Sequence, residues 1–393
     1  MKKTLIALAA MATTTAFAQS TVTLYGNVDV AYGAHKTQSR DGTAFTKTAG
    51  VMDGSWAGSR LGFRGTEDLG GGLKASFTLE QGINPTAAEA YNIRVGSGAH
   101  QIVGNGTQTT GNNRQSFLGL AGGFGEVRVG YQYTNSYDVV AFQGYSLSEF
   151  QGGNYQNQTH ANGTRANAIT YIAPKMGAVT LKVQFGAGAG RGTAESNTTT
   201  ATTGNGFTKN NNAYMSLMAN YAAGPLNASY VYSKAGVEQA NAAGATVTNA
   251  FGVVGTAAAA AIANTATRDQ VSHNFGASYN LGVATISATF GRLDNGGSAT
   301  TTAVTKTNAQ QFSVKVPFGA TDLLLSTGSV KAKVAGVVTG VDTSGTMIGV
   351  SHALSKRTNI YALTGTDKNK AITAVGTAGY KDSKTAVGVR HHF

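Results

Sequence analysis

Along most of this chain, apolar and polar residues trade places at every second position. In Thr21 to Tyr32, Val22, Leu24, Val28, Val30 and Tyr32 fall on one side, with Thr23, Tyr25, Asn27 and Asp29 on the other. In Gly72 to Gln81, Leu73, Ala75, Phe77 and Leu79 alternate with Lys74, Ser76, Thr78 and Glu80. The stretch from Lys384 to Phe393 sets Val387, Val389, His391 and Phe393 against Ala386, Gly388, Arg390 and His392. A period of two is the side-chain period of a β-strand, so each segment offers one apolar face and one small or polar face.

Sixteen such segments follow residue 20. Seven of their junctions are short and place Gly, Pro, Asn or Ser where tight turns need them, as in Gly122-Gly123-Phe124 and Ala223-Gly224-Pro225. Eight others are long and polar, over residues 33–56, 82–113, 134–165, 187–211, 235–269, 293–308, 330–344 and 366–383. A soluble sandwich would bury the apolar faces against a second sheet and uses about seven to nine strands. Sixteen strands with a small polar second face suit a wide barrel around water. The expected fold is therefore all-β: a 16-stranded antiparallel transmembrane β-barrel with short periplasmic turns and long external loops. Residues 321–330 (TDLLLSTGSV) are the least regular segment. Tyr32, Phe63, Phe117, Tyr133, Tyr171, Phe290 and Phe393 lie near strand ends and fit aromatic girdles, with Phe393 as the barrel-terminal aromatic.

The first residues carry an export signal: Lys2 and Lys3, the apolar run Leu5 to Met11, and Ala16-Phe17-Ala18 as a small-x-small cleavage site. Residues 1–18 are thus expected as a signal peptide and 19–393 as the barrel. No later window offers about 20 uninterrupted apolar residues, so a helical membrane protein is excluded. A closed barrel is the other way to satisfy every backbone polar group in lipid. The expected location is the bacterial outer membrane, with its lipid as a partner. Absence of cysteine removes disulfides and thiolate metal sites. The formal charge of +12 does not point to nucleic acid, because no basic helix or aromatic-basic motif accompanies it.

Several runs resemble the general porins of Gram-negative bacteria, in the branch typical of the Neisseria and Burkholderia groups. These are TVTLYGNVD from Thr21, SRLGFRGTEDLGGGLKA from Ser59, RQSFLGLAGGFGEVRVGYQY from Arg114, RANAITYIAP from Arg165, LSKRT from Leu354 and VRHHF from Val389. The resemblance implies a homotrimeric channel for ions and small hydrophilic solutes, whose third loop folds into the pore. In one departure, Tyr131 stands where the family usually has a basic residue.

Charges on the inner face of such a barrel set its ion selectivity. By alternation Arg60 and Arg64 share a face with Gly62; Lys74 and Glu80 lie on the polar face of the next strand; Arg114 opens the fourth with Ser116 on its side; Arg128 lies between Val127 and Val129. Arg60, Arg114 and Arg165 match the places of the family's eyelet arginines and are expected to form a basic wall at the constriction. Arg64, Lys74, Glu80 and Arg128 are further pore-lining candidates. Opposing acids are expected from loop three, in Asp138 and Glu149, with Tyr137, Tyr145 and Phe150 as anchors. Asp29 and Glu80 on the inner face would weaken an anion preference. His391 and His392 point to opposite faces and cannot share a metal in strand geometry. No hydrolase motif is present, and Gly186 to Gly192 (GAGAGRG) precedes no helical pattern. Neither catalysis, metal nor cofactor is expected. The expected function is a passive outer-membrane diffusion channel with mild anion preference; a substrate-specific channel for a sugar or organic acid is the alternative. A membrane-embedded hydrolase lacks its Ser-His pair, and an adhesin has only loop length in its favour.

Overall fold

The computed structural model describes residues 21–39, 42–86, 113–143, 159, 164–186, 194–199, 205–210, 214–236, 247–248, 254–255, 269–295, 305–334, 337–370 and 380–393. The expected signal peptide, Glu149, Tyr145 and Phe150 lie outside these residues. Seventeen strands make one antiparallel sheet, and sixteen of them close into a barrel. These are β1 Thr21–Ser39, β2 Arg60–Gly70, β3 Leu73–Gly82, β4 Asn113–Gly122, β5 Gly125–Tyr133, β6 Arg165–Ile172, β7 Val179–Gly186 and β8 Tyr214–Ala223. The remaining eight are β9 Leu226–Ala235, β10 Gln270–Asn280, β11 Thr285–Asn295, β12 Thr305–Phe318, β13 Thr321–Val334, β14 Val337–Ala353, β15 Thr358–Asn369 and β16 Tyr380–His392. Among the described residues no helix is long and apolar enough to cross a membrane.

Each strand pairs with its successor, and β16 returns to β1 from Asn27↔His392 to Ser39↔Tyr380. The Gly26 and Phe393 backbones exchange two further hydrogen bonds of 3.2 Å. The Phe393 ring lies over Gly26, where a Cβ would come within 2.6 Å of the ring and closer still to the Arg60 carbonyl oxygen, and the backbone clash is what calls for glycine there. The short turns follow the expected chemistry. Between β8 and β9 only Gly224 and Pro225 intervene; Gly224 takes φ +53°, which suits the first position of a primed hairpin turn and which Pro225 could not adopt.

The connection expected over 33–56 is partly strand. β1 runs on to Ser39, and Phe45–Asp53 folds back along it from Gln38↔Phe45 to Val30↔Asp53. β1 therefore has β2 beside its first residues, Thr21 to Asn27, and this returning strand beside its later ones. Two short hairpins, Ala194–Thr199 with Asn205–Asn210 and Val247–Thr248 with Val254–Gly255, lie in other long connections.

Alternation sorts the two faces. Val22, Leu24, Tyr32, Phe63, Leu79, Leu118, Val129, Ile169, Phe185 and Val387 are exposed on the outside, while Asn27, Asp29, Ser216, Ser233, Ser272 and Asn274 are buried on the inside. Two expected girdle residues are corrected. Phe117 pairs with Thr78 on the inner register and lies under the Arg128 guanidinium, and Tyr133 joins the inner cluster described below. The irregular segment 321–330 is a full strand. It reads poorly because Leu323 and Leu325 face outward while Leu324 also serves an apolar patch inside, with Ala31, Met347, Tyr361, Leu363 and Ala386.

An arginine at the lipid face destabilises such barrels by about 2–4 kcal/mol near mid-membrane. Leu118→Arg, at a side chain 69% exposed on the outer wall, is expected to lower unfolding stability in vesicles by that amount. A loss under about 0.5 kcal/mol would place Leu118 away from lipid.

Candidate functional site: the inner wall and its two inward segments

The third long connection leaves β5 at Tyr133 and turns into the barrel. A one-turn helix, Asn135–Asp138, and a 3-10 turn, Val139–Gln143, run along the inner face of β7 to β12. Small polar residues on those strands make room for the segment and satisfy its backbone. Ser136 Oγ lies 3.0 Å from Ser233 Oγ, Asn135 N–H donates to Gln184 Oε1 at 3.3 Å, and Asn135 Nδ2 donates to the Ser216 carbonyl at 3.4 Å. Val139 is buried with Met218 and Val231, and Phe142 rests on Gly276. Further along, Thr159 Oγ1 donates to Asn274 Oδ1 at 2.7 Å. The described part of the third loop, residues 134–143 and Thr159, thus lies against the inner wall.

Glu80 is the hub of the charged cluster beside this loop. Arg114 Nε donates to Glu80 Oε1 at 2.6 Å, Arg60 Nε stands 3.9 Å from Glu80 Oε2, and Tyr25 Oη donates to Glu80 Oε2 at 3.1 Å. Arg114 also donates to Tyr133 Oη at 2.6 Å. The Arg165 guanidinium lies 4.7 Å from the centre of the Tyr133 ring and donates to its hydroxyl at 3.2 Å. Tyr137 stacks on Tyr133 with centroids 4.1 Å apart. Burial, and then the neighbouring Tyr133, push the Tyr137 hydroxyl up to about 12, so it stays a neutral donor at any physiological pH. Tyr25, Arg60, Glu80, Arg114 and Tyr137 line a cavity of about 460 Å³.

The three arginines expected together are therefore brought together, around one carboxylate and a tyrosine pair. Arg114 reaches this place by a route that alternation misses. Ser116, its expected companion, shares the outward register of Leu118 and Leu120. A bulge sets both Arg114 and Gln115 against the step from Glu80 to Gln81 and re-aims the guanidinium inward. Tyr131 pairs with Ser116 and Asn167, on the register of Leu118 and Ile169.

The other candidates lie apart. Arg64 is exposed, with its guanidinium 5.2 Å from the Tyr25 ring centre; Lys74 is exposed near the first short turn; Arg128 is bound by Glu126 at 2.7 Å. Of the two acids expected from loop three, Glu149 lies outside the described residues and Asp138 does not face the arginines. Asp138 pairs with Lys182 of β7 at 2.7 Å. Among the described residues the acid beside the arginines is Glu80, on the wall itself.

A second inward segment was not legible in the sequence. After the returning strand, residues 54–59 fold over the inner wall of β1. Asp29, expected to project into the pore, is fully buried beneath them. Its carboxylate accepts N–H bonds from Trp56 at 2.8 Å and Ala57 at 2.6 Å, and a hydrogen bond from the Tyr361 hydroxyl. Ser59 Oγ donates to Asp53 Oδ1 at 2.5 Å. Trp56 meets Tyr361 edge-on at 5.3 Å, and the Arg390 guanidinium covers its face at 4.5 Å. The apolar patch of Leu324, Met347 and Leu363 lies behind this tryptophan. Asp29 is thus an anchor for the segment, and its charge is spent on backbone donors.

Comparison with known proteins bears on all of this. A family model described as Gram-negative porin matches residues 4–372. Outer membrane porin protein 32 of Delftia acidovorans is 33% identical over the full length of both chains. The major outer membrane protein P.IB of Neisseria meningitidis is 34% identical across 50% of this chain and 53% of its own. Among solved structures, an anion-selective porin from Comamonas acidovorans is 26% identical, with TM-score 0.65, covering 95% of this chain and all of that one. The trimer form of OmpT from Vibrio cholerae, 15% identical with TM-score 0.60, shares the fold. The chain belongs to the Gram-negative porin family: it is an outer-membrane channel and not an enzyme.

Trp56 occupies lumen that would otherwise carry water. Trp56→Ala is expected to raise single-channel conductance in planar bilayers while the barrel keeps its heat-modifiable migration. Unchanged conductance in a folded variant would remove residues 54–59 from the ion path.

Proposed function

We propose that this porin is a passive diffusion channel for ions and small hydrophilic solutes, with a mild preference for anions, and that Arg60, Arg114 and Arg165 form the basic side of its constriction. The observation that carries the proposal is the charge balance at the neck among the described residues: Arg114 and Arg60 share the one carboxylate of Glu80, and Arg165 joins them through Tyr133, the phenol that Arg114 also reaches. Asp29 and Asp138, the other nearby acids, are engaged by backbone donors and by Lys182. A partly dehydrated anion in the cavity finds fixed positive charge and hydroxyl donors; a cation finds one carboxylate already shared. Loop three supplies the narrowing, and the family relatives support a homotrimer, since one solved neighbour is a trimer form.

Removing one charge at about 4 Å in water-like surroundings changes an ion's energy by about 1 kcal/mol, about fivefold in occupancy. The triple variant Arg60→Gln, Arg114→Gln, Arg165→Gln is expected to move the reversal potential under a salt gradient towards cations. The native preference should fade as salt rises from about 0.1 M to about 1 M and the screening length falls from about 10 Å to about 3 Å. A variant with native reversal potential would reassign selectivity to other charges.

One observation favours the alternative of a channel for an organic acid: the Tyr133–Tyr137 stack beside Arg114 and Arg165 offers an aromatic surface next to two cations. That alternative is expected to show saturable block of ion current by a small aromatic carboxylate. Current that falls only in proportion to solute concentration would leave general diffusion.

A further inference from the structure

His392 is the last inward side chain of β16. Its register partner is Asn27, buried on the inner face, and Asn27 pairs in turn with Arg60. One rung thus sets His392, Asn27 and Arg60 side by side across β16, β1 and β2. The outer two backbones are about 10 Å apart at a strand spacing of about 4.8 Å. His392 also lines the cavity of about 460 Å³ shared by Tyr25, Arg60, Glu80, Arg114 and Tyr137. The other described histidines are placed differently. His391, His352 and His273 face outward, each with Nδ1 at 2.7 or 2.8 Å from a hydroxyl, of Thr358, Thr321 and Tyr230 respectively. His35 lies 3.7 Å from Asp382, far up β1. The His392 ring has neither a hydrogen bond nor an ion pair among the described residues, so it meets the water of the cavity.

Its charged neighbours are Arg390, on the same face of the same strand, and Arg60. Glu80 of β3 and Arg114 of β4 line the same cavity as an ion pair. Asp29 of β1, beside Arg390 in the register, is covered by Trp56 and Ala57. On β15, Asn359 accepts the Arg390 Nε–H at 3.1 Å, and in the turn before it the Arg357 carbonyl accepts the His392 N–H at 2.8 Å. The Phe393 main chain is bonded to Gly26. Tyr25, Tyr133 and Tyr137 supply phenols. Between about pH 5 and about pH 8 guanidiniums stay charged, phenols stay neutral and ordinary carboxylates stay ionised, whereas an imidazole changes charge within that span.

We propose that His392 is a selectivity-determining residue, the proton-responsive charge of the neck: neutral in mild alkali and a further cation of the basic wall in mild acid, so that preference for anions grows as pH falls. The proposal rests on the reading of this neck as the seat of ion selectivity. The test is the reversal potential of the full-length protein in planar bilayers, under a KCl gradient from about 0.01 M to about 0.1 M, where screening is weak, with pH stepped from about 8 to about 5 across the imidazole range. One unit charge about 10 Å from an ion in water changes its occupancy about twofold. The chloride-to-potassium permeability ratio is therefore expected to rise about twofold or more over that span. His392→Gln should flatten most of the rise, and His392→Lys should hold the ratio near its acid value at every pH. His35→Gln should keep the native dependence. Heat-modifiable migration reports the folding of each variant, and the titration of the native protein needs no variant. A native ratio that stays level from alkali to acid would overturn the proposal. So would a rise that survives in folded His392→Gln, which assigns the proton to a carboxylate such as Glu80, or a rise that is lost in His35→Gln. A protein that prefers cations throughout, yet shows a rise that depends on His392, would overturn the anion preference proposed above and support His392 as the responsive charge.

Discussion

In hydrocarbon a backbone amide that lacks a partner costs several kcal/mol, so a sheet that crosses a membrane has to leave none unpaired. This molecule meets that demand by bringing β16 back to β1 over thirteen register pairs and adding the Gly26–Phe393 rung beyond them. Everything else follows from the closed loop. Once the hydrogen bonds are confined to the wall, side chains have only two places to go. One face takes Leu, Val and Phe towards lipid, and the other is free to hold serines, asparagines and charge.

The two inward segments use that freedom differently. The loop-three segment is held by many short polar residues, each making a modest bond: Ser136 with Ser233, Asn135 with Gln184 and Ser216, Thr159 with Asn274. Segment 54–59 is held by one carboxylate with three donors and by a tryptophan pressed between Tyr361, Arg390 and an apolar patch. A charge-assisted bond is roughly twice as strong as a neutral one, so few contacts suffice. Between the two segments lies the arginine cluster. It stays in place because Glu80, Tyr25 and Tyr133 give each guanidinium a partner of fixed geometry.

The wall was legible in the sequence because a strict period of two admits little else, and because short and long junctions differ in residue type. Arg60 and Glu80 were legible for the same reason, being plain members of an inner face. Arg114 was placed correctly for a wrong reason: its neighbour Ser116 faces lipid, and a bulge that parity does not reveal turns the arginine inward. Asp138 looked like the acid opposite the arginines because local sequence cannot say that Lys182, on β7, will claim it. Leu324 made its strand look irregular because the inner apolar patch it joins also draws on Ala31 and Trp56, from the far end of the chain. Each of these depends on contacts between residues distant in sequence, and a periodicity has no access to them.

The bond from Tyr361 to Asp29 joins residues 332 apart in the sequence. Contacts so remote form late, since the intervening chain must first be brought together. Asp29 and Tyr361 become near neighbours only when β16 has been laid between β1 and β15. In an open, half-assembled sheet the tryptophan segment therefore keeps its bonds to Asp29 but lacks the Tyr361 and Arg390 contacts that hold the Trp56 ring. Seating of the Trp56 ring thus reports that the ring of strands is complete, so an incompletely assembled barrel would leave that side chain without its wall as well as lacking its seam.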